Sequence, residues 1–285
     1  MRIVIASGIR DMGYERALGD ALPPDGIPVV SSPLVSGGNP MRAVISAAAF
    51  VALLAVSPGV RAQNTDLLLV LAADVSRSID EGELELQRKG YATALTDPRV
   101  LGAIRSGTNG TLAVCFVEWS GAGEQLVVVD WTVIHDEEDA GVVAAAILAA
   151  PRSFMGRTSI SGAIDFAMER FAAAKPHSNR HIIDVSGDGT NNSGRPVTEA
   201  RDQAVAEGVT INGLAIINDR PNPGYAFHTQ PPGGLPEWYR QNVIGGPGSF
   251  LRVIDDFRSF SDAMTNKLVS EIVALAGEGQ TASAR

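Results

Sequence analysis

The stretch LLLVLAADVSRSID, Leu67 to Asp80, decides the fold of this chain. Seven apolar residues, Leu67 to Ala73, run into Asp74, Ser76 and Ser78 at alternate positions. An unbroken apolar run of that length predicts a strand covered on both faces, as in parallel sheets layered between helices. The aspartate and serines then stand where the strand ends, and open α/β sheets bind ligands outside the carboxyl ends of their strands.

Downstream, strand and helix signals alternate without an internal repeat. Leu84, Tyr91 and Leu95 recur at helical spacing. Strands are predicted over Leu112 to Trp119 and Gln125 to Ile134, joined only by SGAGE, a connection of hairpin length that makes this pair antiparallel. An alanine-rich helix follows DEED, and another spans about Ser159 to Ala173 with Ile160, Ile164, Met168 and Phe171 on one face. The strand RHIIDVSG, a helix ending at Gly208, and the strand VTINGLAII come next. A long loop, Asn218 to Ser249, precedes the short strand FLRVI and a final helix from Phe257 to about Leu275. Strands separated by helices predict a Rossmann-like α/β fold: a mainly parallel sheet with one antiparallel strand and helices on both faces.

Upstream, Met41 and Arg42 precede the apolar run AVISAAAFVALLAV, Ala43 to Val56. The run is short for a membrane span, and SPGVRAQ offers small residues at Val60 and Ala62 before Gln63. Residues 41–62 are therefore read as a signal peptide cleaved near Ala62, giving a periplasmic or secreted protein with no membrane span after cleavage. Residues 1–40, rich in Pro, Gly and Ser, are read as a non-native or disordered extension ahead of translation from Met41; a genuine leader is the alternative. Residues 63–285 suffice for one domain with a sizeable core.

The formal charge of −9 argues against nucleic acid or an anionic membrane as partner. Cys115 is the single cysteine, so no internal disulfide forms; it lies inside TLAVCFVEW and is read as a small buried hydrophobe.

Two further loops share the rim with Asp74. In GRTSISGAIDF, Thr158 stands before a helix; in IIDVSGDGTNN, Asp188 ends a buried strand between glycines. Asp74, Asp188, Ser76, Ser78 and Thr158 together form a hard-oxygen set with no histidine or thiolate, suited to Mg²⁺ or Mn²⁺ rather than zinc. Taken singly, each residue has a structural alternative. Ser78 followed by Glu81 fits a capping box, Thr158 or Ser159 can cap the next helix, and either aspartate can be a turn residue.

The combination DVSRS, GRTSISGAI and SGDG resembles the von Willebrand factor type A (VWA) domain with its metal-ion-dependent adhesion site, over roughly Asp66 to Glu271. The departure is Gly187, where many relatives carry Thr or Ser. YRQNVIGGPGSFL, with the Pro-rich loop before it, is similar to an exported bacterial branch of unknown function. The resemblance implies that Ser76, Ser78 and Thr158 offer hydroxyls to the metal while Asp74 and Asp188 hold it directly or through water. It also implies a protein partner whose Asp or Glu carboxylate completes the shell, and recognition with no reaction attached. Tyr225, Phe227, Trp238 and Tyr239 of the long loop are aromatic candidates for partner contact, with Tyr225 and Phe227 assigned to it and Trp238 the expected core ring of that loop.

Other classes remain open on the residues alone. GDGTNN resembles the Gly-Asp-Gly loop of haloacid-dehalogenase-like phosphatases, with Asp74 as phosphoryl acceptor and Thr158 and Lys175 binding phosphate. That chemistry needs a second aspartate as general acid and base where Ser76 stands, and an aspartate where Asn192 stands. A periplasmic ligand-binding protein is a third class, disfavoured by a single domain. A Ser-His-Asp hydrolase would draw on His177, His181 or His228, but no serine occupies a Gly-x-Ser-x-Gly elbow.

Overall fold

Leu67–Asp74 forms β1, and every residue of it is buried. The computed structural model describes residues 63–217 and 231–273. Within them β1 is followed by α1 (Glu81–Thr96), α2 (Pro98–Arg105), β2 (Leu112–Trp119), β3 (Gln125–Ile134), α3 (Glu137–Ala149) and α4 (Ile160–Ala172). Then come β4 (His181–Gly187), α5 (Val197–Ala206), β5 (Thr210–Ile216), α6 (Gly234–Asn242), β6 (Leu251–Ile254), a 3₁₀ turn (Phe257–Ser259) and α7 (Phe260–Val273). The six strands lie in the order β3-β2-β1-β4-β5-β6. All neighbours are parallel except β2 and β3. The expected α/β sheet with one antiparallel strand is thus the observed one.

Burial of β1 on both faces follows from alternation along the strand. Leu67, Leu69 and Leu71 face one cluster, with Tyr91 and Leu95 of α1, Ile104 of α2 and Phe260, Met264 and Leu268 of α7. Val70 and Ala72 face the other, with Ile160 and Ile164 of α4, Ala200 of α5 and Leu235 and Tyr239 of α6. Each fully buried aliphatic side chain contributes roughly 1.5–3 kcal/mol, so helices on both faces anchor the central strand.

Several elements differ from expectation. The alanine-rich helix begins inside DEED, because the Asp136 side chain accepts from the amides of Glu138 and Asp139 and caps it. Of the apolar face expected on α4, Ile160 and Ile164 are buried while Met168 and Phe171 are only partly so. The segment expected as a loop after β5 contains α6, and its core ring is Tyr239, fully buried; Trp238 is only partly buried. The signal peptide at 41–62, the extension at 1–40 and the candidate contacts Tyr225 and Phe227 lie outside the described residues. Among the described residues, no helix is long and apolar enough to cross a membrane.

Candidate metal centre at the carboxyl edge of the sheet

Strand order reverses direction around β1, which has β2 on one side and β4 on the other. Asp74 is the last residue of β1, in register with Trp119 of β2, and Ala73 is in register with Ser186 of β4. Asp188 leaves the end of β4 one residue beyond Gly187, so both aspartates emerge at the switch point between adjacent strands.

Asp74 is fully buried. Its Oδ1 accepts from the amide of Ser76 at 2.7 Å, closing a tight turn, and the side chain of Gln87 donates to its carbonyl oxygen at 3.0 Å. Its Oδ2 is buried with no hydrogen-bond partner among the described residues. Burial, and then the charge of Asp188, raise this carboxyl well above the usual carboxylate range; hydrogen bonds from Ser76 and the charge of Arg152 oppose the rise.

Ser78 donates to Asp188 Oδ1 at 2.7 Å, and its hydroxyl lies 3.0 Å from that of Ser76. These contacts tie the first loop to the third. Ser78 is not the cap of α1: Asp80 accepts from the amide of Glu83 at 2.8 Å while Glu83 accepts from the amide of Asp80 at 2.9 Å. The capping box therefore sits two residues later than expected and leaves Ser78 to the rim.

The second loop is clamped to the third by asparagines. Thr158 donates its amide to Asn192 Oδ1 at 3.0 Å and accepts from the Asn192 amide at 2.9 Å, and Asn191 Oδ1 accepts from the Ser161 amide at 3.0 Å. Ser159 caps α4 by accepting from Gly162, which leaves the buried Thr158 hydroxyl uninvolved in capping. That hydroxyl would stand 3.7 Å from a Cβ on Gly189. All five expected site residues thus sit on three loops held together at one edge.

Arg152, not singled out from the sequence, organises the rim. One nitrogen, Nη2, donates to the carbonyl oxygens of Val75, Ser76 and Ile79 at 2.8–3.0 Å, while Nε donates to Phe154 and Nη1 pairs with Glu81. The segment carrying it is held in turn by Arg88, which pairs with buried Glu118 and donates to the carbonyls of Ala150 and Pro151. A lone arginine between Pro151 and Ser153 gives no local signal of this role, because the first-loop carbonyls it holds lie over seventy positions away.

The remaining candidates are elsewhere. Lys175 follows α4, whose thirteen residues carry the chain about 20 Å from the rim, so it does not join Asp74 as a phosphate ligand. His177 exchanges backbone hydrogen bonds with Gln63 and Thr65 beside the start of β1. His181 opens β4 and stacks on Phe171 with ring centroids 4.8 Å apart; burial lowers its pKa. Cys115 is buried in β2, and burial pushes its thiol up to about 12, as expected of an unreactive core residue. His228 lies outside the described residues.

Among the described residues, no group of three or more His, Cys, Asp or Glu gathers as a metal cluster. Any cation here would therefore rely on hydroxyl oxygens beside the two carboxylates. The donor set fits one: two acids in a buried setting, two serine hydroxyls in contact, and an orphaned carboxylate oxygen.

A mainly parallel sheet of this order with Asp-x-Ser-x-Ser, threonine and aspartate loops at its switch point has the VWA-like fold. More particularly, the chain belongs to the family described as "Protein of unknown function (DUF1194)", whose model matches residues 64–276. No curated protein matches the sequence. Solved structures with the same fold include proximal thread matrix protein 1 from the mussel byssus with a zinc-occupied metal-ion-dependent adhesion site, at 19% identity and TM-score 0.53, covering 75% of this chain and 49% of that one. A von Willebrand factor type A protein from Catenulispora acidiphila matches at 16% identity and TM-score 0.52, covering 73% and 43%. The pilus adhesin SpaC from Lactobacillus rhamnosus GG matches at 13% and TM-score 0.51, covering 74% and 31%. This chain thus spans less than half the length of those structures.

Proposed function

We propose that the rim binds a divalent cation through Asp74, Ser76, Ser78, Thr158 and Asp188, and that the bound cation recruits a protein ligand through an Asp or Glu carboxylate. The observation that carries this is the orphaned Asp74 Oδ2, buried in a cluster where Ser76 and Ser78 touch and Ser78 bonds Asp188. Two buried acids repel one another, and a cation between them removes the repulsion. When bound, the ion supplies an electron-poor centre that accepts an external carboxylate. The chain's own residues do the remainder: Arg152 fixes the first loop, Asn191 and Asn192 fix the second, and Gln87 anchors the end of β1.

Mg²⁺ and Mn²⁺ suit an all-oxygen set, and the zinc in the mussel protein's site supports divalent binding by this fold in general. The site is assigned to recognition rather than turnover. Ser76 stands where phosphoryl chemistry would need an acid–base aspartate, and Lys175 is remote from Asp74. The connection carrying Tyr225 and Phe227 is assigned to partner choice, and the protein to the exported fraction.

Melting curves with Mg²⁺, Mn²⁺ or Zn²⁺ and with chelator test the proposal. Wild type at a hundred times the dissociation constant should gain about 2.7 kcal/mol, and Asp74→Ala should gain nothing. Equal gains in the two proteins would reject the site.

A further inference from the structure

Tyr239 brings its hydroxyl to the same glycine, Gly187, that Asp74 faces at the end of β1. Its ring is fully buried on the face of the sheet covered by α4 and α6, where it fills the space above Gly213: a Cβ on that glycine would lie 3.1 Å from Tyr239 Cδ1. The hydroxyl extends from there to the carboxyl edge. A Cβ built on Gly187 would stand 2.8 Å from Tyr239 Oη and 3.0 Å from Asp74 Oδ2. The two oxygens thus flank one point, and only the missing side chain of Gly187 leaves that point open. Neither oxygen has a hydrogen-bond partner among the described residues, and both are buried.

Leaving a buried donor or acceptor unsatisfied costs about 1–3 kcal/mol. A phenol O–H facing a carboxylate oxygen across a gap that excludes side chains is one donor and one acceptor whose needs match. Gly187 is the sole residue type that keeps this approach open, since any Cβ would press on both atoms. The departure at position 187 and the tyrosine of a helix more than fifty residues later are therefore parts of one arrangement.

We infer that Tyr239 is a positioning residue of the cation site, its hydroxyl donating to Asp74 Oδ2 through one bridging water and so orienting the carboxylate for the ion. This rests on the proposed cation binding. The phenol does not contact the ion; it sets the group that does, as hydrogen-bonded outer groups commonly do for metal-ligating carboxylates.

Titration calorimetry of the full chain with Mn²⁺ tests it. Tyr239→Phe removes one oxygen and keeps the ring, so the metal-free melting temperature should hold or rise while Mn²⁺ affinity falls about tenfold. Gly187→Ala, which keeps the phenol but wedges a methyl between the two oxygens, should weaken Mn²⁺ at least as much. Should Tyr239→Phe fail to fold, Tyr239→Leu, which also lacks the hydroxyl, carries the same test. Mn²⁺ affinities within twofold of wild type in these single variants would overturn the role of Tyr239 while leaving the cation site standing. Wild type that binds none of Mn²⁺, Mg²⁺ or Zn²⁺ would overturn both.

Discussion

Asp184 and Lys267 are charged side chains that the fold conceals completely. Lys267 on α7 pairs with Asp184 of β4 at 2.7 Å and with Glu271 at 2.5 Å, all three side chains are buried, and Asn212 donates to Glu271 at 2.9 Å. Two acids share one ammonium. Burial and the charge of Glu271 raise the Asp184 pKa from 3.8 to about 7, against the pull of Lys267. The sign follows from proton counting: between about pH 4 and pH 7 the unfolded chain loses this proton while the native state keeps it, so stability drops as pH rises through that window and levels off above it. Asp74 is shifted in the same direction, so the comparison of wild type with Asp184→Asn isolates the buried triad. Urea midpoints in chelator at pH 4.5 and pH 7 should show wild type losing more stability than Asp184→Asn. A pH-independent difference between the two would refute the assignment. The same scale separates legible from illegible site residues. Asp74, Ser76, Ser78 and Asp188 stand out as candidates because they cluster where buried apolar strands end. Arg152 and Gln87 do not, because each donates to carbonyl oxygens outside its own segment.

Helix α1 crosses α7 with no room to spare. A Cβ on Gly90 would come within 2.4 Å of Phe260 Cδ1, and Tyr91 beside it meets Phe260 edge to face with centroids 5.1 Å apart. Gly90→Ala gains helix propensity but overpacks this crossing, and a net loss of about 1–3 kcal/mol is expected. Chemical denaturation checks the loss. Two elements eluded expectation for different reasons. Helix α2 carries a local signal, Asp97 as N-cap accepting from the Arg99 amide at 2.8 Å with Pro98 in the first turn, which marks a new helix rather than the tail of α1. Helix α6 has a weak one: two left-handed glycines open it, a proline occupies its first turn, and only Leu235 and Tyr239 are buried. It forms because those two side chains complete the apolar layer over β5, which is a tertiary cause.

For the whole molecule, export predicts a chain processed before Gln63. Intact-mass measurement of protein recovered from its native host should give a dominant species beginning there, and retention of residues 1–40 would exclude it. By itself the sequence determined the strands, their parallel arrangement, the antiparallel pair and the three loops of the rim. Those features depend on local alternation of apolar and polar residues, and a period can be read from neighbours along the chain. Only the tertiary structure decided which polar groups meet. It moved the cap of α1 from Ser78 to Asp80, so that Ser78 could reach Asp188. It hung the first loop on Arg152 and brought a phenol to Asp74 across Gly187. The physical reason is that a hydrogen bond is fixed to a few tenths of an ångström by atoms from separate elements. Sequence patterns carry which face is buried, whereas the partner on that face is set when strands and helices pack.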